Sequence, residues 1–219
     1  MANIVIFGAG DIARLAHFYF STDSSHTVVA FTVDAAYRNA DTFQQLPLIP
    51  FDTVAARYPP SDYKMFVALS YAKMNRVRAE KYAAARALGY ELVSYVSSRC
   101  SFLSQYPHGD NCFILEDNTV QPFARIVSDV TLWSGNHIGH DSSIGDHCFI
   151  SSHVVVSGHV AIGSHCFVGV NAVLRDNISV ADFTLVGAGA LVMKNTTAGS
   201  VFVARRTERF PKTSDQVDL

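Results

Sequence analysis

The chain has 219 residues, 49% of them hydrophobic, and a formal net charge of −2 at pH 7. This composition indicates a globular protein of one or two domains, and the charge gives no support for binding to nucleic acid or to a membrane surface. No apolar run approaches the roughly 20 residues of a membrane-spanning helix. The first residues, MANIVIFGAG, lack the basic stretch of a secretion signal, so we expect a cytoplasmic protein.

Strands alternating with helices are predicted for the first hundred residues. Ile4–Phe7 is a continuous apolar run that ends in a Gly-Ala-Gly turn, which is typical of a buried parallel strand. Further strands are predicted over Thr27–Val33, Met65–Leu69 and Glu91–Tyr95, and helices over Asp11–Phe20 and Asn75–Leu88. This alternation favours a small parallel α/β sheet.

The turn after the first strand has the spacing of a dinucleotide fingerprint. Gly8, Gly10 and Ala13 follow the strand, and Asp34 ends the next one. Glycines in this position let the backbone approach a phosphate at a helix N-terminus. The match is weak by itself, because only half of the usual dinucleotide fold fits in roughly 95 residues, and a tight turn without a ligand also explains it. We favour phosphate binding because of the repeat domain that follows this one along the chain.

A six-residue repeat runs without a break from Ile114 to Val192. Neither an α-helix nor a flat strand has this period, which is the mark of a parallel β-solenoid. Three hexads close one coil of eighteen residues, so each residue lies about 4.8 Å from the residue eighteen positions earlier. The fourteen aliphatic residues at the first hexad position are Ile114, Val120, Ile126, Leu132, Ile138, Ile144, Ile150, Val156, Ile162, Val168, Leu174, Val180, Val186 and Val192.

The eighteen-residue offset places Cys112, Val130, Cys148, Cys166 and Thr184 in one inward column. We interpret these cysteines as small buried hydrophobic residues, because their wide spacing contains no CxxC pair for zinc.

The repeat over about residues 100–197 resembles the left-handed β-helix of the hexapeptide acyltransferases. Its combination with a short Rossmann-like domain resembles the bacterial sugar acyltransferases, which include N-acetyltransferases of nucleotide-linked amino-deoxy sugars and sialic acid O-acetyltransferases. The resemblance implies a Rossmann-like nucleotide-sugar-binding domain at 1–98, a left-handed β-helix acyltransferase domain at 99–200 and a C-terminal tail at 201–219 over the last coil. It also implies a homotrimer with active sites between subunits, acetyl-CoA as co-substrate and no metal.

The resemblance assigns roles in substrate binding to the N-terminal turn. Gly8 and Gly10 would face the diphosphate of the nucleotide-linked sugar, and Asp34 would lie near the nucleotide base. The family often carries a second acid directly afterwards, where this chain has Ala35, and that departure leaves the identity of the nucleotide base open.

The stretch Ser134–Gly158 resembles the active-site segment of the family. On that match His140 is the general base and Asp141 is the adjacent carboxylate. Imidazole titrates near the working pH, so it suits removal of a proton from an attacking amine or hydroxyl. Asp141 as a plain turn residue is the alternative. Gly158, one coil beyond His140, would donate its backbone N–H to the thioester oxygen.

The stretch Val186–Lys194 resembles the cofactor-binding end of the family. Gly187 and Gly189 would allow close approach of the pantetheine arm. Lys194 would meet a coenzyme A phosphate, or it is a solvated surface charge.

Two aromatic residues leave further alternatives open. Phe149 stands where some relatives carry a cofactor-contacting His, and His153 and His137 are candidates to replace it. Trp133, the only tryptophan, belongs either to a subunit interface or to the acceptor cleft.

The leading prediction is acetyl transfer from acetyl-CoA to the amine of a nucleotide-linked amino-deoxy sugar in bacterial surface glycan synthesis, such as that of O-antigen. O-acetylation of a sugar such as sialic acid is the alternative. A non-catalytic binding solenoid and an NAD-dependent enzyme are the third and fourth hypotheses.

Overall fold

The computed structural model describes residues 1–209 and 211–217. Its helices are α1 (Asp11–Thr22), α2 (Val54–Arg57) and α3 (Arg76–Ala87), with 3-10 turns at Ala35–Tyr37 and Ser214–Gln216. The first seven strands are β1 (Asn3–Phe7), β2 (Thr27–Val33), β3 (Thr42–Phe43), β4 (Leu46–Pro50), β5 (Tyr63–Val67), β6 (Tyr95–Val96) and β7 (Ser101–Phe102).

The remaining strands have two residues each. They are β8 (Phe113–Ile114), β9 (Thr119–Val120), β10 (Arg125–Ile126), β11 (Thr131–Leu132), β12 (His137–Ile138), β13 (Ser143–Ile144), β14 (Phe149–Ile150), β15 (Val155–Val156), β16 (Ala161–Ile162), β17 (Phe167–Val168), β18 (Val173–Leu174), β19 (Ser179–Val180), β20 (Leu185–Val186), β21 (Leu191–Val192) and β22 (Val201–Phe202).

A five-stranded sheet in the order β3-β4-β2-β1-β5 forms the N-terminal domain. Its pairs are parallel except for the β3-β4 hairpin. The predicted strand over Glu91–Tyr95 is wrong. Leu92 makes only an isolated bridge to Met65, and the Tyr95 N–H donates to the carbonyl of Cys112 at 2.8 Å. The chain leaves the sheet after Val93, and from Tyr95 it pairs with the first coil of the solenoid.

The second domain is a parallel β-helix with three sheets. Sheet 1 has the order β22-β20-β17-β14-β11-β8-β6, sheet 2 has β21-β18-β15-β12-β9-β7, and sheet 3 has β10-β13-β16-β19. Leu132 pairs with Ile150 and Ile150 with Val168, which is the predicted eighteen-residue register. All fourteen aliphatic hexad residues are at most 3% exposed, so the repeat forms the core as predicted.

The inward cysteines are packing residues. Cys112, Cys148 and Cys166 are fully buried and unpaired, and burial raises the pKa of the Cys112 thiol to about 12. This confirms the interpretation of the column as small buried hydrophobic residues.

The outermost strands of the β-helix are β6 and β22. Strand β6 pairs with β8 at one end, and β22 pairs with β20 at the other. Phe202 and Ala204 pack against the core, whereas residues 205–209, 211–214 and 216–217 are exposed. A wider covering of the last coil by the tail stays a prediction.

Each coil turns at three corners, which we name by the sheets they join. Corner 1/2 includes residues 133–136 and 151–154, corner 2/3 includes 139–142 and 157–160, and corner 3/1 includes 145–148 and 163–166. One residue in each turn has φ near +60°, a conformation that Asn, Asp and His adopt more readily than most residues. Five of these positions are Asp141, His147, His153, His159 and His165. Turn geometry therefore accounts for much of the histidine content of the coils.

A buried ion pair fixes the N-terminal domain to corner 3/1. Arg78 on α3 donates from Nε to both carboxylate oxygens of Asp129 at 3.0 Å, and both side chains are buried. Its Nη2 also donates to the carbonyls of Asp129 and Cys148 at 2.9 and 3.1 Å. Asn111 donates to Asp129 at 2.7 Å, and His147 Nδ1 lies 2.8 Å from the same carboxylate. The position of α3 is thereby set relative to the coils.

Candidate active site

The turn between β1 and α1 has the geometry of a close backbone approach. Gly8 has φ +130°, and a Cβ there would lie 2.6 Å from the carbonyl oxygen of Ala68. The Gly8 N–H donates to Thr32 at 2.8 Å, so Gly8 shapes the turn and does not itself offer a donor. Gly10 is the N-cap of α1, whose first-turn N–H groups lack intrahelical acceptors. An anion is favoured at this position.

A cavity of about 330 Å³ lies beside this turn. Gly8, Gly10, Asp34, Tyr37 and Lys81 are among its lining residues. Lys81 Nζ is 2.9 Å from Asp34 Oδ1, which places one cation and one carboxylate together in the cavity. Sequence reasoning missed Lys81, because a lysine on an amphipathic helix is usually a solvated surface residue. The mostly exposed Tyr37 ring, together with the charged groups of Asp34 and Lys81, suits a nucleoside.

A second cavity, of about 540 Å³, shares Gly10 and Leu69 with the first. Its walls come from both domains. The aromatic lining residues are Tyr71, Trp133 and Phe149, and the serines are Ser70, Ser151 and Ser152. The Tyr71 and Phe149 rings are 5.0 Å apart, in an edge-to-face arrangement. The two cavities thus form one groove across the start of α1, and this groove extends onto corner 1/2.

His140 lies at corner 2/3, about half exposed. Its Nδ1 is 2.9 Å from Asp141 Oδ2, and its backbone N–H donates to Gln121 Oε1 at 2.9 Å. Asp141 has φ +57°, so it is both a turn residue and a partner of the imidazole. A role of Asp141 in catalysis stays a prediction.

Gly158 lies next to the His140 ring, one coil away. A Cβ at Gly158 would be 2.7 Å from His140 Nε2. The backbone of Gly158 does not need glycine, since its φ lies outside the positive range. A side chain at position 158 would therefore have to displace the imidazole. Nδ1 faces the acid and Nε2 faces Gly158, as in a base oriented by a carboxylate.

His159 is a neighbour that sequence reasoning missed. Its ring is 5.0 Å from that of His140 at 90°, and its Nε2 is 3.8 Å from Asp141 Oδ2. The signal was present in the sequence, because residue 159 stands eighteen positions after residue 141.

The residues predicted to bind the cofactor divide between two corners. Lys194 is exposed and lies in the same column as His140 and Gly158, three coils from His140. Gly187 and Gly189 lie at corner 1/2, where a Cβ on Gly187 would be 3.0 Å from the Phe202 carbonyl oxygen. One chain therefore does not bring these three residues together.

The aromatic residues and the two candidate histidines lie close to corner 1/2 or on sheet 2. Trp133 and Phe149 both line the larger cavity of the same chain. His153 lies at corner 1/2, and a Cβ on Gly135 would be 2.5 Å from its Nδ1. His137 faces outward on sheet 2, next to Val155 in the adjacent strand. Replacement of the missing cofactor contact at Phe149 by either histidine stays a prediction.

The residues predicted to bind the sugar nucleotide and those predicted to catalyse transfer form two separate groups. Gly8, Gly10 and Asp34 line the groove, whereas His140, Asp141 and Gly158 stand together at corner 2/3. None of the second group is among the lining residues of the two groove cavities.

We expect Gly8→Ala to lower the free energy of unfolding by about 1–3 kcal/mol, because a side chain at that φ is strained and the Ala68 carbonyl leaves no room. Gly10→Ala is the matched control. Gly10 has φ −107°, and a Cβ there meets nothing within 4 Å, so its stability should change little. Urea unfolding at one protein concentration measures both variants. An equal loss of unfolding free energy in the two variants would show that the φ of Gly8 and its contact with Ala68 do not set the cost.

Comparison with known proteins agrees with this architecture. Residues 123–158 match the family model described as bacterial transferase hexapeptide (six repeats). The acetyltransferase domain of PglB from Neisseria gonorrhoeae FA1090 superposes with a TM-score of 0.80 at 19% identity, covering 92% of this chain and 96% of that one. PerB from Caulobacter crescentus, solved with CoA and GDP-perosamine, gives 0.79 at 20% identity, covering 92% and 93%.

WeeI from Acinetobacter baumannii AYE gives a TM-score of 0.65 at 16% identity, covering 87% of this chain and 96% of that one. No curated protein matches the chain by sequence. At these identities the likeness establishes the fold. The protein is a small Rossmann-like α/β domain followed by a left-handed parallel β-helix built from hexapeptide repeats, as predicted. Among the described residues, no helix is both long and apolar enough to cross a membrane.

Proposed function

We propose that this protein transfers an acetyl group from acetyl-CoA to the amine of a nucleotide-linked amino-deoxy sugar, in the synthesis of a bacterial surface glycan such as O-antigen. The observation that carries the proposal is the His140 ring, held by Asp141 on one side and facing Gly158 on the other. Such an arrangement leaves Nε2 as a free proton acceptor.

The chemistry follows from these positions. As the sugar amine attacks the thioester carbonyl and the N–C bond forms, His140 Nε2 takes the proton that the nitrogen loses. Asp141 keeps the ring oriented and stabilises the imidazolium. The Gly158 N–H donates no hydrogen bond among the described residues, so it can stabilise the negative carbonyl oxygen. When the C–S bond breaks, His140 passes this proton to the departing thiolate.

The relatives support the choice of substrates. PerB was solved with CoA and GDP-perosamine, and the PglB acetyltransferase domain was solved with acetyl coenzyme A. In this chain the groove offers the start of α1 to a diphosphate, and Asp34, Lys81 and Tyr37 to a nucleoside. The larger cavity, with Trp133 and Phe149, would hold the sugar.

We infer a homotrimer with active sites between subunits. The groove reaches corner 1/2 and His140 stands at corner 2/3, so a complete site needs corner 2/3 of one copy to face corner 1/2 of another. Val155 and Leu191 project outward from sheet 2 between these corners and are 39% and 59% exposed. A second copy would cover this apolar stripe.

Within this proposed trimer, the predicted cofactor residues of two copies would come together. Lys194 of one copy would approach Gly187 and Gly189 of the next, along a cleft that leads from His140 towards the last coil. The pantetheine arm would lie in this cleft, and Lys194 would meet a phosphate. We retain the division at residues 98 and 200 as a proposal, and the cytoplasmic location stays a prediction.

O-acetylation of a sugar such as sialic acid uses the same base and is the second candidate. A free sugar has no diphosphate and no nucleoside, so it leaves the groove beside Gly10 and Asp34 unused. Calorimetry separates the two. We expect UDP-, dTDP- or GDP-linked amino sugars to bind and free sugars not to bind. Binding of a free sugar with no binding of any nucleotide would favour the O-acetyl alternative, and failure to bind any acyl-CoA would favour a non-catalytic solenoid.

A further inference from the structure

We propose that His140, Asp141 and His159 form a binding site for a divalent transition-metal ion of the zinc type, and that the bound ion blocks the base function of His140. The reaction proposed above needs no metal, so the ion is an inhibitor and not a cofactor. Ion binding does not depend on the proposed function, whereas its effect on the rate does.

The three side chains converge on one point. Their ligand atoms all lie within 4.8 Å of one another. His140 Nδ1 and His159 Nε2 are 2.9 and 3.8 Å from Asp141 Oδ2. In a tetrahedral zinc site with bonds of about 2.0–2.2 Å, ligand atoms are about 3.3–3.6 Å apart. Small side-chain rotations therefore convert the observed cluster into a coordination shell.

The backbone holds these ligands in place on two neighbouring coils. Asp141 and His159 occupy the same turn position, one coil apart, and both have φ +57°. The His159 N–H donates to the His140 carbonyl at 2.9 Å, which fixes the spacing of the two turns. All three residues are exposed in the chain, so an ion can reach them.

The chemistry of the donor set selects the class of ion. Two imidazoles and one carboxylate suit zinc, copper or nickel, whereas magnesium prefers oxygen ligands. Three protein ligands leave a fourth position open for water.

A second histidine pair in the coils lacks this property. His147 and His165 also stand one coil apart, with rings 4.8 Å apart, and His147 Nδ1 faces Asp129. Asp129, however, already accepts from the Arg78 guanidinium through both carboxylate oxygens, and from Asn111 as well. That charge is paired and buried, so of these two histidine pairs the one at corner 2/3 presents an accessible carboxylate between its imidazoles.

Binding of the ion would change the tautomer of His140. With Asp141 as acceptor, the neutral ring carries its proton on Nδ1 and keeps the lone pair of Nε2 free. A metal at Nδ1 needs the lone pair on that nitrogen, so the proton moves to Nε2. Nε2 then cannot accept a proton from the sugar amine.

Titration calorimetry of the untagged, full-length protein with zinc chloride tests the site, in the absence of coenzyme A because its thiol binds zinc. We expect His159→Asn to weaken zinc binding by at least about tenfold, since even the loss of an outer-shell partner costs a metal site about 10- to 100-fold. His153→Asn is the matched control, because His153 has the same φ in an equivalent turn at corner 1/2. Asn tolerates this φ, so both variants should fold. Magnesium should give no heat of binding at the same concentrations.

The proposal is overturned if the wild type does not bind zinc, or if His159→Asn and His153→Asn weaken binding equally. Either result would mean that any zinc is held by scattered surface imidazoles. Zinc binding that depends on His159, in a protein that transfers no acetyl group, would support the metal site and refute the function. If transfer occurs, zinc should inhibit the wild type more strongly than His159→Asn.

Discussion

His140→Ala should lower kcat by about 10²- to 10⁴-fold, which is the usual contribution of a general base. The melting temperature should stay close to that of the wild type, because the side chain is half exposed and its one hydrogen-bond partner among the described residues is the exposed Asp141. Initial rates of thiol release from acetyl-CoA, with melting curves of the same samples, provide the measurement. His108→Ala is the control, since it removes an imidazole from the first coil, where the ring bonds only to its neighbour Gly109.

Gly158→Ala extends this prediction. The new methyl group would push on His140 Nε2 without straining the backbone, so activity should fall while stability is kept. In the His140→Ala background the same change should cost much less, because the ring it displaces is gone. Equal losses in the two backgrounds would show that Gly158 acts independently of His140.

A kcat within about tenfold of wild type for His140→Ala would assign the proton transfer to another group.

Arg78→Met should lower the free energy of unfolding by about 3–5 kcal/mol, the usual cost of leaving a buried partner without its counter-ion. The substitution leaves the Asp129 carboxylate buried and without a cation, and it removes four protein hydrogen bonds from Arg78 to Asp129 and Cys148. Denaturant unfolding at a fixed protein concentration is the appropriate measurement, because the stability of an oligomer depends on concentration.

Arg86→Met provides the matched control on the same helix. Arg86 is exposed and its pair with Asp110 is 3.4 Å long, so its loss should cost about 0–1 kcal/mol. Asp129→Asn in the Arg78→Met background should recover part of the loss, since it removes the uncompensated charge. Similar costs for Arg78→Met and Arg86→Met would contradict the assignment of the buried pair as the anchor between the two domains.

The β-helix was predictable because one repeat determines both its core and its register. An aliphatic residue at every sixth position can be buried only in a three-sided coil, so Leu132, Ile150 and Val168 stack as the offset requires. The same offset placed Gly158 next to His140. Local spacing also predicted the turn at Gly8 and Gly10.

Contacts between the two domains were not predictable in this way. Arg78 and Asp129 are 51 positions apart, and each resembles a solvated surface charge in the sequence. The pairing of Lys81 with Asp34 depends on where α3 packs, which no local pattern encodes. The strand predicted over Glu91–Tyr95 is wrong for a related reason. Leu92 bridges to Met65 in the N-terminal sheet, whereas Tyr95 pairs with Phe113 in the β-helix.

The central claim is acetyl transfer to an amine, and release of the coenzyme A thiol tests it most directly. The protein is mixed with acetyl-CoA and a panel of UDP-, dTDP- and GDP-linked 4-amino sugars, with the corresponding hydroxyl sugars alongside. We expect thiol release with at least one amine, a product heavier by one acetyl group, and no release with the hydroxyl acceptors. Inert amines together with a reactive hydroxyl sugar would contradict it.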